Sequence, residues 1–268
     1  MKKADGERIV VWANAVAEAR YTLSVQEQRL ILWLAAQIER EDDALEDRTV
    51  SVMEMQEIVG GNNGRIYEQF ESVCDRLMTR TLELRYDDHL ERVKFNWMHE
   101  VMYKDGTGCI TLRFHDRLKP LLLKLKERFS MIPLKVVFKL RGGYAIRWYE
   151  LLVAKKHFGT FSMDVEELRA WLAIGEGELP AVKDLRKRAI DVSKAELDNK
   201  ADLTFRYEPI KVGRRITGWT FKIKENRPRP VQRQLPLKVE PRATPEQEEE
   251  ARAQRKAAMA ELRRSIGG

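Results

Sequence analysis

The amino-acid sequence predicts an α+β protein built from two copies of one folding unit, followed by a flexible C-terminal tail. Three observations support this prediction: an internal repeat, a shared order of helix and strand patterns in the two halves, and a change of composition after residue 225. The chain has 268 residues, of which 43% are hydrophobic. That is enough for one large domain or two domains of ordinary size with buried cores.

Two pairs of similar segments carry the internal repeat. Residues 51–58 (SVMEMQEI) resemble residues 162–168 (SMDVEEL), and both are typical of a short extended entry into an acid-capped helix. Residues 82–86 (LELRY) resemble residues 203–207 (LTFRY), and each segment follows a predicted long helix. Both matches are short, so coincidence is the alternative to a true repeat.

Periodicity of apolar residues places the elements of the first copy. Residues 21–38 contain the first helix, for which Ser24 and Glu27 form an S-x-x-E capping box. It is apolar on nearly every side and is therefore predicted to be buried. Glycines at 60–64 end the next helix, and Pro120 falls in the first part of the last helix, where proline is least harmful. The other helices and strands are predicted at residues 53–59, 65–80, 81–86, 93–98, 109–114 and 115–127.

The second copy is predicted to repeat this order. A helical region over residues 133–157, interrupted at 141–143, contains Trp148, just as the first helix of the other copy contains Trp33. A long helix over residues 182–199 precedes a hairpin with its turn at 212–215. The other elements of this copy are predicted at residues 161–163, 164–172, 203–207 and 216–223.

The order of elements in each copy is that of a winged-helix domain, a helix-turn-helix followed by a hairpin wing. The sequence therefore predicts tandem winged-helix domains, an N-terminal one over residues 1–132 and a C-terminal one over residues 133–225. Five of the nine prolines lie between Pro228 and Pro245. This composition is typical of an extended, poorly ordered segment, so residues 226–268 are predicted to be a flexible tail.

The positive charge is concentrated in the second copy. The whole chain carries a formal charge of +7, and residues 181–224, with twelve basic and six acidic residues, account for +6 of it. A recognition helix places its N-terminal part in the major groove, where arginine can pair with guanine and lysine can neutralise phosphates. An ordinary solvated helix face is the alternative. The predicted DNA-binding residues of this copy are Lys183, Arg186, Lys187, Arg188 and Lys194 on the helix and Lys211, Arg214 and Arg215 on the wing.

The first copy has a long helix of mixed charge. Asn62, Asn63 and Arg65 are predicted to contact phosphate from the start of this helix. Arg76 and Arg80, further along the same predicted helix, are also candidate DNA contacts. The strands around residues 95–103 are candidates for pairing with a second subunit by edge addition, with plain core strands as the alternative.

The sequence gives little indication of an enzyme or a metalloprotein. The four histidines form no metal-binding pair, Cys74 and Cys109 lack zinc-like spacing, and the glycines at 60–64 are not followed by the Lys-Ser/Thr of a phosphate loop. We therefore predict no catalytic residues, no metal and no cofactor. The N-terminus lacks the apolar region of a signal peptide, and the longest apolar stretch, near residues 30–36, is too short to span a membrane. A cytoplasmic protein with two reduced thiols is expected.

Four segments together resemble a known family, the iteron-binding plasmid replication initiators. The resemblance runs over residues 10–223. The motifs together are specific for this family, although each motif alone is weak evidence. The segments are YTLSVQEQRLIL (21–32), YAIRWYELL (144–152), DLRKRAID with ELDNK (184–191 and 196–200), and GRRITG (213–218).

This resemblance implies a function and partners. Members bind direct repeats (iterons) in duplex origin DNA, melt adjacent AT-rich DNA and recruit the host initiator and replicative helicase. Monomers initiate replication, whereas homodimers repress the protein's own promoter or couple origins, which controls copy number. Carried over to this chain, the second domain reads bases through Lys183, Arg186, Lys187 and Arg188, and the first supplies backbone contacts and the dimer interface.

The tail contains a further candidate motif. Gln234, Leu235 and Leu237 (QLPL) resemble the peptide by which bacterial proteins dock on the DNA polymerase sliding clamp. Lys238 departs from that pattern, because an aromatic or apolar residue often follows there. A chance match within a proline-rich linker is the alternative.

Two other functions compete with replication initiation. A winged-helix transcriptional repressor is disfavoured because one winged helix with a dimer or ligand domain would suffice, whereas the repeat spans most of this chain. A protein-interaction scaffold of tandem winged helices is disfavoured by the charge of +6 over residues 181–224.

Overall fold

The computed structural model describes residues 8–39, 41–60, 65–85, 92–104 and 106–226. All of them belong to one compact unit, Met1–Arg229. The predictions for Asn62, Asn63 and the tail beyond Asn226, including the clamp-like motif at Gln234, Leu235 and Leu237, lie outside the described residues.

The first half is organised around a buried helix. Helix α2 (Val25–Ala35) begins at Ser24, whose backbone N–H donates to Glu27 while its hydroxyl accepts from the Glu27 N–H. The predicted capping box is therefore confirmed. The elements that follow are β2 (Arg48–Ser51), α3 (Val52–Val59), α4 (Ile66–Met78), β3 (Thr81–Arg85), β4 (Arg92–Asn96), β5 (Met98–Lys104) and β6 (Cys109–Phe114).

The strands of the first half form two separate antiparallel sheets. One is the hairpin of β3 and β4, in which Leu82 and Phe95 face each other on the buried side. The other has the order β2-β6-β5, so the strand that enters the helix-turn-helix pairs with β6 and not with the hairpin. Among the described strands, β5 lies at the edge of this sheet.

Two predictions for the first half are wrong or incomplete. The helix expected over residues 115–127 is limited to a short turn and α5 (Lys119–Leu122), because Lys124 and Arg128 both have a positive φ of 50°, which no helix contains. The sequence also failed to predict β1 (Ile9–Ala13), the short α1 (Asn14–Glu18) and β7 (Phe129–Pro133). Strands β1 and β7 pair with each other and bury Val10, Trp12 and Ile132.

The second half contains the predicted order of elements. Strand β8 leads into a helix-turn-helix, and the hairpin strands join β8 in a three-stranded sheet of order β8-β10-β9. Two winged helices in tandem are thus confirmed as the fold. The elements are α6 (Leu134–Val137), α7 (Gly143–Lys155), β8 (Thr160–Asp164), α8 (Val165–Trp171), α9 (Val182–Leu185), a π-helical turn (Arg186–Asp191), α10 (Val192–Lys200), β9 (Leu203–Val212) and β10 (Arg215–Glu225).

Aromatic side chains form the core of the second half. The Trp148 ring lies 4.8 Å from the rings of Phe205 and Phe221 and 5.1 Å from that of Trp171, measured between centroids. Gly218 is required where β10 crosses β8, since a Cβ at this position would lie 2.5 Å from the Met163 carbonyl oxygen. Strand β10 therefore lies close against β8 at this point.

Buried hydrogen bonds join the two halves. The Arg147 guanidinium on α7 donates to the carbonyls of Ala17 and Ala19 and pairs with Glu150 at 2.7 Å. The Tyr21 hydroxyl donates to the same carboxylate at 2.6 Å. Because α7 contacts both halves in this way, the domain boundary between residues 132 and 133 stays a prediction.

Candidate nucleic-acid interface

The predicted recognition helix is an unbroken helical run of α9, the π-helical turn and α10, here called the basic helix. Leu185, Ala189, Ile190 and Leu197 are buried on its inner side. The side chains on its outer side near the N-terminal end are exposed to solvent, and they are Lys183, Arg186, Lys187 and Arg188. The structure therefore brings together the four residues to which the family resemblance assigns base reading.

A π-helical turn lies within this basic cluster. The Val192 N–H donates to the Lys187 carbonyl, five residues back rather than four. The buried Trp148 indole N–H donates to the Ala189 carbonyl at 2.8 Å, so the core holds the wide turn from inside. Turns of this kind occur frequently at functional sites.

Intrahelical ion pairs divide the basic residues into two groups. Arg186 pairs with Asp191 at 3.6 Å, and Lys194 pairs with Asp198 at 2.6 Å. By contrast, the ammonium groups of Lys183 and Lys187 and the guanidinium of Arg188 have no ion-pair partner among the described residues. No carboxylate offsets the charge of these three residues, whereas the exposed Arg186 would exchange its long contact with Asp191 for a phosphate or a base.

Tyr207 and Glu196 fix the basic helix to its surroundings. The Tyr207 hydroxyl on β9 donates to the Asp191 carboxylate, and burial together with this hydrogen bond raises the Tyr207 pKa to about 12. Glu196 accepts from the backbone N–H groups of Arg141 and Gly142, at 2.7 and 3.0 Å, at the start of α7. Burial raises the pKa of Glu196, but hydrogen bonds from Lys200 and these two N–H groups outweigh it and lower the pKa below its usual range.

The wing ends in a short turn that exposes its cations. Gly213 has φ of +60° at the first central position of the turn, where glycine is favoured in hairpins. Lys211, Arg214 and Arg215 are exposed around it, and none of the three has an ion-pair partner in the described part of the chain. The predicted wing residues are thus displayed together at one tip.

The first half presents its predicted DNA residues differently. Arg65 is exposed just before α4, as expected. Arg76 and Arg80 instead pair with the fully buried carboxylate of Glu27, at 3.3 and 3.2 Å, and so stabilise the capping-box partner of Ser24. Their contact with DNA stays a prediction. The structure also gives both arginines a role in stabilising the fold.

The hairpin of β3 and β4 in the first half has exposed basic residues that were not among the predicted DNA contacts. Arg85, Arg92 and Lys94 are exposed on β3 and β4. Next to this hairpin lies a cleft of about 350 Å³, lined in part by Arg20, Arg80 and Lys94. Burial, and to a smaller extent the neighbouring Arg85, lower the Arg20 pKa, while Glu83 opposes this shift. The signal available in the sequence was the alternation of Arg92 and Lys94 with apolar residues, which places both on one outward face.

No group of three or more His, Cys, Asp or Glu side chains among the described residues could hold a metal ion. Cys74 is buried, which raises its thiol pKa to about 12, and neither it nor Cys109 is in a disulfide. None of the described helices combines the length and apolar character needed to cross a bilayer.

Comparison with known proteins assigns both halves. A family model described as "Initiator Replication protein, WH1" matches residues 9–153, and one described as "Initiator Rep protein, WH2" matches residues 164–223. A replication initiation protein of Escherichia coli is 27% identical over 177 residues, which make up 63% of this chain and 55% of that protein. The chain thus spans about half the length of that relative.

One solved structure shares the arrangement of both halves. It is described as a crystal structure of the Pi initiator protein in complex with iteron DNA, and it superposes on this chain with a TM-score of 0.67. The match covers 83% of this chain and 99% of that one at 16% sequence identity. At this identity the likeness establishes the fold.

Proposed function

The chain belongs to the family of initiator replication proteins with two winged-helix domains, and on that premise we propose that it is a plasmid replication initiator. It binds iterons, the direct repeats of an origin, in duplex DNA and promotes opening of the adjacent DNA. The observation that carries the proposal is the basic helix, which displays Lys183, Lys187 and Arg188 without ion-pair partners in the described residues.

The two faces of the second winged helix have separate tasks. The basic helix enters the major groove, where Arg186 and Arg188 pair with base edges. The wing tip, with Lys211, Arg214 and Arg215, contacts the flanking phosphates. Lys194, which is paired with Asp198, contributes to the local potential and gives at most a weaker contact.

The first winged helix supplies contacts that do not depend on sequence. Exposed Arg85, Arg92 and Lys94 on its hairpin, together with Arg65 before α4, are placed to neutralise phosphates. Asn62 and Asn63, which lie outside the described residues, keep their predicted role in contacting phosphate. The free edge of β5 among the described strands supports a homodimer formed by edge addition, the form that represses the protein's own promoter.

We also propose where the protein acts and which host proteins it binds. The protein acts by binding in the cytoplasm and carries out no covalent chemistry. Its host partners are the host initiator and the replicative helicase, and the sliding clamp joins them if the motif at Gln234, Leu235 and Leu237 is functional. Clamp binding is tested by a pull-down that compares the parent chain with a Gln234→Ala, Leu235→Ala variant, and equal binding by both excludes that role.

The proposal is tested by selecting duplexes from a random-sequence pool with the full chain at a salt concentration of about 0.15 M, since affinity depends on salt. We expect enrichment of one motif of roughly 20 base pairs, the length over which two winged helices can occupy successive major grooves. Duplexes carrying this motif as direct repeats beside an AT-rich segment should then open on binding, measured by permanganate reactivity of thymines. Binding without enrichment contradicts the proposal and favours an architectural or scaffold role.

A further inference from the structure

The middle of the basic helix carries an apolar stripe that faces solvent. Val192 is 58% exposed, and Ala195, one turn further along, is exposed as well. Both lie on the same face as Arg188, since residues three or four apart on a helix are neighbours. The inner side of these turns is filled by Ser193 and Leu197, so the stripe continues the outward basic face.

The charged side chains beside this stripe are paired with one another. Lys194 pairs with Asp198 at 2.6 Å and Lys200 with Glu196 at 2.5 Å, both along the helix. The stripe of Val192 and Ala195 itself offers only methyl groups, and the charges beside it are already neutralised within the helix.

Helix stability does not account for valine at position 192. A β-branched residue is a poorer helix former than alanine, and this one gains little from burial because more than half of it is exposed. An intermolecular contact would give the two methyl groups a function.

The chemistry of the major groove identifies that contact. Guanine, adenine and cytosine present only donors and acceptors at their groove edges, whereas thymine adds a C5-methyl group. Covering the polar edges with an apolar stripe would remove their water without replacing the hydrogen bonds. We propose that Val192, supported by Ala195, is a specificity-determining residue that contacts a thymine methyl group in the target DNA. This inference rests on the proposed function.

The geometry also limits where this thymine lies. Val192 follows Arg188 by four residues through the π-helical turn, so it lies at most about 6 Å further along the helix axis, the advance of four residues in an α-helix. This corresponds to roughly two base-pair steps of 3.4 Å. The thymine should therefore lie within about two steps of the base pair that responds to Arg188→Ala.

Deoxyuridine substitution tests the contact, because it removes the methyl group and leaves the hydrogen-bonding edge unchanged. The probe is the duplex selected from the random pool, with each thymine replaced singly by deoxyuridine. We expect one or two replacements to weaken binding about three- to fivefold, the effect of burying one methyl group. Val192→Ala should abolish the response at those positions while responses to changes elsewhere in the site remain. Phe158→Ala, which truncates another exposed apolar residue (63%), is the control and should keep the full response.

Three results would count against the contact, and they can be told apart. If a motif is selected but no deoxyuridine weakens binding, the contact is excluded while the proposed function stands. An unchanged deoxyuridine response in Val192→Ala excludes Val192 as its source. If the pool yields no motif, both proposals fail together.

Discussion

The indole N–H of Trp148 donates a hydrogen bond to the carbonyl oxygen of Ala189 across 2.8 Å. Trp148 is the centre of the aromatic core of the second winged helix, and Ala189 lies in the π-helical turn of the basic helix. The core therefore reaches the backbone of the basic helix at the turn that displays Arg186, Lys187 and Arg188. The position of these cations depends on a buried group that touches no DNA.

Replacing Trp148 by Phe should destabilise the protein by more than the loss of ring size explains. The change leaves the buried Ala189 carbonyl without its indole donor, at a cost of about 1–2 kcal/mol. Trp219→Phe is the matched control, because this indole is equally buried but has no hydrogen-bond partner among the described residues. Urea unfolding measures the difference, and equal losses in the two variants would show that the hydrogen bond contributes nothing.

The Arg147–Glu150 pair should behave as a buried unit. Both side chains are at most 4% exposed, so Arg147→Met leaves a buried carboxylate without its cation and should cost about 3–5 kcal/mol. Adding Glu150→Leu to this variant should restore part of the loss, because the stranded charge is then gone. Urea unfolding of both single variants and of the double variant gives the coupling. Simple additivity would contradict the assignment of a coupled pair.

Glu196 should give the protein a stability contribution that depends on pH. Its folded pKa is lowered, so the contribution is fully present above the ordinary glutamate value of about 4.3 and is lost as the pH falls through the folded pKa. We expect Glu196→Gln to cost about 1 kcal/mol at pH 7, because the two N–H groups of Arg141 and Gly142 lose a charged acceptor. The difference from the parent should shrink below pH 4.3, and a constant difference in urea unfolding across this range would refute the assignment.

The basic hairpin of the first half should contribute affinity without specificity. Arg92→Ala combined with Lys94→Ala should weaken binding to selected and random duplexes by the same factor and lower the salt dependence by about two phosphate contacts. Lys119→Ala serves as the control, since its ammonium already pairs with Asp116 at 3.0 Å. Loss of affinity for the selected duplex alone would show instead that the hairpin reads sequence.

Much of the fold could be predicted because local signals agreed with the tertiary structure. The capping box at Ser24 and the apolar run after it specify a buried helix whatever surrounds them. The repeat also predicted both helix-turn-helix units, since the same pattern of entry strand and helix recurs at Ser51 and Ser162.

The elements and contacts that were not predicted have physical causes that cannot be read from a single sequence. Strand β7 has Ser130 on its buried side, where the hydroxyl bonds to Asn14, so the alternation of apolar residues is broken. The π-helical turn depends on the distant Trp148. Likewise, the pairing of Arg76 and Arg80 with Glu27 joins two helices whose approach the sequence does not specify.

Base reading by the basic helix is tested most directly by comparing two double variants on selected and random duplexes over a range of salt concentrations. Arg186→Ala with Arg188→Ala should weaken binding to the selected duplex far more than to random DNA, at about 1–3 kcal/mol for each lost base contact. Arg214→Ala with Arg215→Ala should weaken both alike and flatten the salt dependence. If both double variants lose the same affinity on both kinds of duplex, the basic helix does not read the sequence.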